Sequence, residues 1–250
     1  MYTPGGPASP GHRHDAARRG HGRRGYGARV TFAGFGEHAI DFYDGLAADN
    51  SKPYWDDNVA VYKTDVRAPM QELIAELETE FGPGFGSGKV FRPYRDVRFA
   101  KDKTPYKTHC GAVIEPGRGA GAYYVEVGPA GLRTGGGCFR LATDQLARFR
   151  KAVDSEVHGT ALEKIVARLR RSGWDLGGDT LRTRPRGVDP VHPRLELLRH
   201  RTLRAVRTWE PDDTLHERAC IDRVRASWRE LREFNEWALD HVGISELPAR

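Results

Sequence analysis

A short segment in the middle of the chain concentrates the side chains best suited to binding an anion. Residues 91–109 carry six basic side chains and two acidic ones, with aromatic side chains between them. The basic residues are Arg92, Arg95, Arg98, Lys101, Lys103 and Lys107. Arginine forks suit bidentate contact with phosphate or carboxylate, and lysines add point charges. The segment therefore predicts a site for a negatively charged group.

In the first of three interpretations, the segment forms an anion pocket that could also be catalytic. Cations of the segment hold a phosphate or carboxylate, and two arginines from later in the chain complete the pocket. The ligand-binding candidates are Arg95, Arg98, Lys103, Lys107, Arg184 and Arg186. The catalytic candidates are Asp96 or Asp102 as a base and Tyr106 as a hydrogen-bond donor.

The other two interpretations need no small ligand. In the second, neighbouring charges such as Arg95 with Asp96 and Lys103 with Asp102 form an ion-pair network that pins a loop. A desolvated network of this kind predicts a large loss of stability from Arg98→Ala. In the third, the aromatic and basic segment binds nucleic acid together with an arginine-rich N-terminal tail. The net negative charge of residues 29–115 argues against this third interpretation.

Other patterns that could carry chemistry point to structure instead. The glycine-rich segments 84–89 and 117–122 resemble phosphate loops in spelling, but each leads into a predicted strand rather than a helix N-terminus. His192 lies between prolines, which favours a rigid turn over a catalytic base. Three widely spaced cysteines predict buried thiols in a reducing compartment. The sequence predicts no metal site, and any cofactor is unknown.

The net positive charge of the chain is weak evidence for a nucleic-acid partner. The formal net charge is +6, but residues 1–28 hold five arginines and one aspartate, which leaves +2 for the rest. That tail has almost no aliphatic side chains, so we expect residues 1–28 to be disordered. No apolar run is long enough to cross a membrane. We therefore expect a cytoplasmic protein whose partner is an anionic small molecule or, less favoured, a nucleic acid.

The pattern along the rest of the chain predicts the elements that position these residues. Helical spacing indicates helices near 37–48, 52–67 and 69–81, and later near 143–154, 160–171 and from Asp212 or Asp213 to His241. Between them, 109–115, 123–127 and 132–134 have the features of strands, and 89–99 has a strand-like start. A hairpin turn is predicted at 128–131, and 203–209 could add another strand. Successive strands without helices between them favour antiparallel pairing.

The predicted fold class is therefore α+β, with a mainly antiparallel central sheet flanked by N-terminal and C-terminal helices. We expect one domain over residues 29–242, followed by a short tail at 243–250. Trp228, Phe234 and Trp237 in the last helix could dock a partner, but their spacing favours a place in the core.

The central segment also resembles a known family. The pattern Arg95-Asp96-x-Arg98-Phe99-x-x-Asp102-Lys103-x-Pro105-Tyr106-Lys107 is similar to the hallmark of the domain of unknown function 2461 family. A later pattern, Leu181-x-x-x-Pro185-Arg186-Gly187-x-Asp189-x-x-His192-Pro193, also fits this family. The resemblance covers about residues 30–210 and implies an uncharacterised family of bacteria, fungi and plants. It supports the choice of segment and implies no particular reaction.

Overall fold

The computed structural model describes residues 31–117 and 120–248. The predicted disordered tail, residues 1–28, lies outside the described residues. Helices surround a six-stranded antiparallel sheet, so the chain has an α+β single-domain fold. This confirms the predicted fold class.

The N-terminal helices form a more continuous run than the sequence indicated. The elements are α1 (Ala39–Ala48), α2 (Lys52–Val61), a π-helical turn (Tyr62–Arg67) and α3 (Ala68–Phe81). Ser51 caps α2 by accepting a hydrogen bond from the Tyr54 amide. Pro69 lies in the first turn of α3, as its position in the predicted helix 69–81 requires, and the π turn leads directly into that helix. Proline has no N–H to donate, and the wider turn before it accommodates the missing bond.

The sheet has the strand order β1-β2-β3-β4-β6-β5, and each neighbouring pair is antiparallel. Its strands are β1 (Gly88–Val90), β2 (Cys110–Ile114), β3 (Tyr123–Gly128), β4 (Gly131–Cys138), β5 (Asp175–Gly177) and β6 (Leu203–Trp209). Pro129 and Ala130 form the predicted turn between β3 and β4. The strand-like start predicted for 89–99 is present as β1, but the strand ends at Val90. Pro93 and Pro105 follow, and neither has an amide hydrogen to donate to a ladder.

The C-terminal half supplies the rest of the helical layer. Its helices are α4 (Thr143–Asp154), α5 (Glu156–Arg171), α6 (Leu195–Arg199) and α7 (Ala219–His241). The expectation that Asp212 or Asp213 caps α7 is wrong. A 3₁₀ turn over Asp213–His216 precedes α7, and the Asp212 carboxylate instead pairs with Arg223 at 2.8 Å.

The two faces of the sheet differ in chemistry. Helices α3 and α7 pack on the face that carries Tyr123, whose ring contacts Phe81 and the fully buried Trp228. The strand register and alternation place a second set of side chains on the opposite face. We call this the polar face, and it carries Lys89, His109, Tyr124, Glu126 and Arg133.

Candidate functional site

Residues 91–109, named here the basic loop, connect β1 to β2, and backbone hydrogen bonds join the two ends of the loop to each other. The Arg95 amide donates to the Pro105 carbonyl at 2.8 Å, and the Lys107 amide donates to the Pro93 carbonyl at 2.8 Å. Tyr94 and Tyr106 form a bridge between these two bonds. A strand over 89–99 would place Arg92 and Arg98 on one face and Arg95 on the other, but β1 ends at Val90. The loop closes on itself rather than extending the sheet.

Asn50 and Trp55 hold the basic loop against the N-terminal helices. The Asn50 side chain donates to the Tyr106 carbonyl and accepts from the Tyr106 amide, each at 3.0 Å. The Trp55 ring stacks on the buried Tyr106 ring with centroids 4.4 Å apart and an interplanar angle of 7°. Sequence reasoning predicted no hydrogen-bond partner for Asn50. The Asn50 side chain bonds to the backbone of Tyr106 as a neighbouring strand would. No local sequence signal identifies such a partner, because the side-chain amide can come from any part of the chain.

Several cations of the basic loop are paired within the loop. Arg95 binds the Asp102 carboxylate and the Thr104 hydroxyl. Arg98 binds Asp96 through two nitrogens, at 2.7 and 2.9 Å. The expected pairs were Arg95 with Asp96 and Lys103 with Asp102, and neither forms. The Arg98 side chain is also 77% exposed, so its pair lacks the desolvation on which a large effect of Arg98→Ala depends.

The remaining candidates inside the loop have backbone or packing roles in the structure. The Lys103 ammonium donates to the Val97 carbonyl at 2.9 Å. Tyr106 is buried, and burial raises the pKa of its hydroxyl. The Arg98 guanidinium lowers the pKa of Asp96 to about 2, and the Thr104 amide followed by Arg95 lowers that of Asp102 to about 2. Carboxylates with such low pKa values are weak bases at neutral pH.

These two pKa values predict that acid loosens the basic loop. Both are lower than the ordinary value of an aspartate, so the carboxylates stabilise the folded loop above about pH 4 and lose that contribution as the pH falls towards 2. Amide hydrogen exchange, corrected for intrinsic rates, should show the Arg95 and Lys107 amides losing protection in this window. The amides of β3 serve as the control. Protection at Arg95 and Lys107 that is unchanged from pH 5 to pH 2 would contradict the prediction.

Lys107 differs from the paired cations. Its ammonium lies 5.3 Å from the centroid of the Phe91 ring, on the polar face. Among the described residues, Lys107, Arg92 and Lys89 have no carboxylate partner within salt-bridge distance. Burial, followed by the positive charges of Arg92 and Lys89, lowers the pKa of Lys107. Lys89 and Arg92 are exposed and also interact with Glu115 and Asp96, so the excess of positive charge is felt mainly at the half-buried Lys107.

The polar face also carries a carboxylate with several partners. The Glu126 side chain is only 13% exposed and binds Arg133 at 2.8 Å and the Tyr124 hydroxyl. The His109 Nε2 atom lies 3.6 Å from the same carboxylate. Burial lowers the pKa of His109, opposed by the charge of Glu126. Sequence reasoning missed these residues, although the alternation of β3 places Tyr124 and Glu126 on one face.

The structure does not join Arg184 and Arg186 to the basic loop. Both lie in the connection from β5 to β6, whereas the basic loop connects β1 to β2, and these strand pairs form opposite edges of the sheet. No hydrogen bond or ion pair links the two sets within the described residues. Arg186 instead lines a cavity beside the C-terminal end of α4.

The part of the chain that the structure describes contains no cluster of metal-ligating side chains, and its cysteines are buried. Residues 31–117 and 120–248 contain no group of three or more His, Cys, Asp or Glu side chains that could hold a metal ion. Cys110, Cys138 and Cys220 are free and buried, as predicted, and burial raises the pKa of each thiol to between about 11 and about 12. No helix among the described residues is long and apolar enough to span a membrane.

Comparison with known proteins supports the resemblance seen in the sequence. A family model described as "Conserved hypothetical protein (DUF2461)" matches residues 38–237, which is most of the chain. The chain belongs to this family. The match to DUF2461 includes the basic loop, the polar face and the connection that carries Arg184 and Arg186. Its description names no activity, substrate or cofactor. No curated protein and no solved structure matches the chain.

Proposed function

We propose that this DUF2461 protein binds a small anion, a phosphate or a carboxylate, on the polar face of its sheet. Lys107 is the central contact, and Lys89 and Arg92 supply further positive charge. The observation that carries the proposal is the half-buried Lys107 ammonium, which has two cationic neighbours and no carboxylate partner among the described residues. Arg95, Arg98 and Lys103 then act as the frame of the basic loop rather than as ligands.

The cations of the basic loop differ in whether a carboxylate already binds them. Arg95 and Arg98 each hold a carboxylate, so an incoming anion would have to compete with Asp102 and Asp96. Lys107 has no such competitor, and its depressed pKa shows that its surroundings disfavour the charged form. A bound anion would reverse that penalty, because an opposite charge nearby favours the ammonium.

A second candidate function is proton transfer to or from the bound anion. It is favoured by the placement of His109 next to the buried Glu126 carboxylate on the same face. Burial lowers the pKa of His109, which favours a neutral imidazole that can accept a proton near pH 7. Glu126, held by Arg133 and Tyr124, would stabilise the imidazolium that forms.

Binding at Lys107 is tested by thermal unfolding and by NMR with inorganic phosphate and with citrate. At a ligand concentration 100 times the dissociation constant, a single site adds about 2.7 kcal/mol to the free energy of unfolding. We expect the Tm of the wild-type protein to rise and the resonances of the basic loop to shift. Lys107→Met should abolish the shift of these resonances, and Lys89→Met should weaken it. Lys101→Met, which removes an exposed lysine of the same loop, serves as the matched control.

Two outcomes would contradict the proposal. One is a wild-type protein in which neither anion shifts the resonances near Lys107. The other is a Lys107→Met protein that retains the full shift. A single-stranded oligonucleotide is titrated in parallel. If the oligonucleotide alone shifts these resonances, with an affinity that falls as salt rises, the nucleic-acid interpretation replaces the small-anion proposal.

A further inference from the structure

A cavity of about 500 Å³ lies away from the polar face, between the C-terminal end of α4, the connection from β5 to β6, and α6. Its walls include the buried Pro185 and the apolar side chains of Val188 and Leu198. Three basic side chains line it, namely Arg150, Lys151 and Arg186. We propose that this cavity is a second, separate binding site for an oxyanion, either a phosphate ester or a carboxylate.

The three basic side chains lack partners. None of them has an ion pair or a side-chain hydrogen bond among the described residues. The Arg150 Nε atom is buried without a hydrogen-bond acceptor. A buried donor without an acceptor is unfavourable, and an oxyanion in the cavity would supply one. Burial and the charge of Arg201 also lower the pKa of Arg150, so positive charge is in excess around it.

The carboxylates that line the same cavity are already engaged. The Asp189 carboxylate accepts the Val191 amide at 2.9 Å. Asp154 lies 3.1 Å from the Nε2 atom of His192. The Nδ1 atom of His192 accepts the Arg194 amide at 3.0 Å, which assigns the ring proton to Nε2 and makes this nitrogen the donor to Asp154. These hydrogen bonds leave both carboxylates charged, but three basic side chains line the cavity against two carboxylates, and this excess of positive charge favours an anion over a cation.

A second cavity provides an internal comparison. It measures about 370 Å³, lies between α5 and α7, and is also rich in arginine. There, Arg168 binds Glu233, while Arg229 and Arg232 both bind Glu80. Its arginines thus already have carboxylates. The cavity beside α4 differs in that its basic side chains remain unpaired, and this difference carries the proposal.

The cavity is preformed, which favours binding. Arg194 is buried beneath it and anchors the chain after His192 to the end of α4, because its Nε atom donates to the Val153 carbonyl at 2.8 Å. A site that is ordered before its ligand arrives loses less entropy on binding. The connection from β5 to β6 forms one wall of the cavity and contains the DUF2461-like pattern from Leu181 to Pro193. No residue of this pattern lies on the polar face.

The test uses the full chain carrying Lys107→Met, so that the proposed polar-face site cannot contribute. Inorganic phosphate and citrate are titrated separately, with the NMR resonance of the Arg150 Nε–H group as the reporter. We expect at least one anion to shift this resonance, and the one that binds more tightly identifies the ligand class. Arg186→Ala should weaken binding about tenfold or more, the loss typical of a charge-assisted hydrogen bond.

Arg184→Ala is the matched control, because Arg184 lies on the same connection and is exposed but does not line the cavity. It should change the affinity less than twofold. The proposal is overturned if neither anion shifts the Arg150 resonance, or if Arg184→Ala weakens binding as much as Arg186→Ala. Arg150→Met removes the reporter group, so binding to this variant is followed through the backbone amides of Gly187 and Val188, which line the cavity, and it should be abolished. If that variant does not fold, the comparison between the exposed Arg186 and Arg184 still decides the question.

Discussion

Replacement of Arg194 by methionine is expected to remove a large part of the stability of the fold. The Arg194 side chain is only 5% exposed, and its guanidinium donates to the carbonyls of Val153 and Asp154, at 2.8 and 3.2 Å. It also pairs with Glu156 at 3.0 Å. Methionine fills much of the same volume but donates no hydrogen bond. The Val153 carbonyl is a buried acceptor, and its loss of a donor costs about 1–3 kcal/mol.

The measurement is the urea midpoint of Arg194→Met against that of Arg201→Met. Arg201 is 57% exposed and lies 3.5 Å from Asp179, a surface pair of the kind that contributes about 0–1 kcal/mol. We expect a lower midpoint for Arg194→Met and a nearly unchanged one for Arg201→Met. Equal midpoints for the two variants would show that the buried guanidinium does not hold α4, α5 and the cavity wall together.

The Arg194 site also shows which features of a fold are hidden from its sequence. Gly159 lies in α5, and a Cβ atom added there would come within 2.5 Å of the Arg194 Nε atom. The glycine therefore provides the space in which the guanidinium reaches the end of α4. Sequence periodicity predicted a helix from Thr160, whereas α5 begins at Glu156 and includes Gly159. It could not show why a helix would contain a glycine, because the reason lies in contact with a residue from another element.

Elements defined by local patterns were predictable. The turn at Pro129 and Ala130, the bounds of α4 and the strand β6 follow from periodicity and from turn residues. The π turn before Pro69 and the 3₁₀ turn at Asp213 were not predictable in this way. Both keep a helical pattern of side chains while they change the hydrogen bonding of the backbone, and only the side-chain pattern is visible in a sequence.

At the candidate site, the sequence predicts which residue types are present but not which of them form ion pairs. The sequence reveals that the basic loop is rich in cations, but not which cations hold a carboxylate. Arg95 pairs with Asp102 rather than with its neighbour Asp96, because the closed loop brings the more distant residue to the guanidinium. Lys107 and Lys89 share the polar face only through the antiparallel sheet. Which cations remain unpaired therefore depends on the topology of the sheet and loop, which the sequence pattern does not show.

Trp228→Ala is expected to have an equally large effect, and it tests whether the long helix α7 belongs to the core or serves as a docking surface. The indole is fully buried, and its ring meets Phe81 edge to face with centroids 5.2 Å apart. Its Nε1–H donates to the Tyr124 carbonyl at 3.0 Å. Truncation of a buried tryptophan to alanine costs about 3–5 kcal/mol, through lost burial and the cavity left behind.

Urea unfolding of Trp228→Ala, Trp228→Phe and Trp209→Ala separates the two roles. Trp228→Phe keeps a ring against Phe81 and should lose less stability than the alanine variant. Trp209 is half-buried at the end of β6, near Arg207 and Arg223, and its removal should cost less than that of Trp228. A docking residue is needed only when a partner is present, so the docking interpretation predicts a wild-type midpoint for Trp228→Ala. The burial of its indole against Phe81 and β3 predicts the opposite, because those contacts exist in the isolated chain.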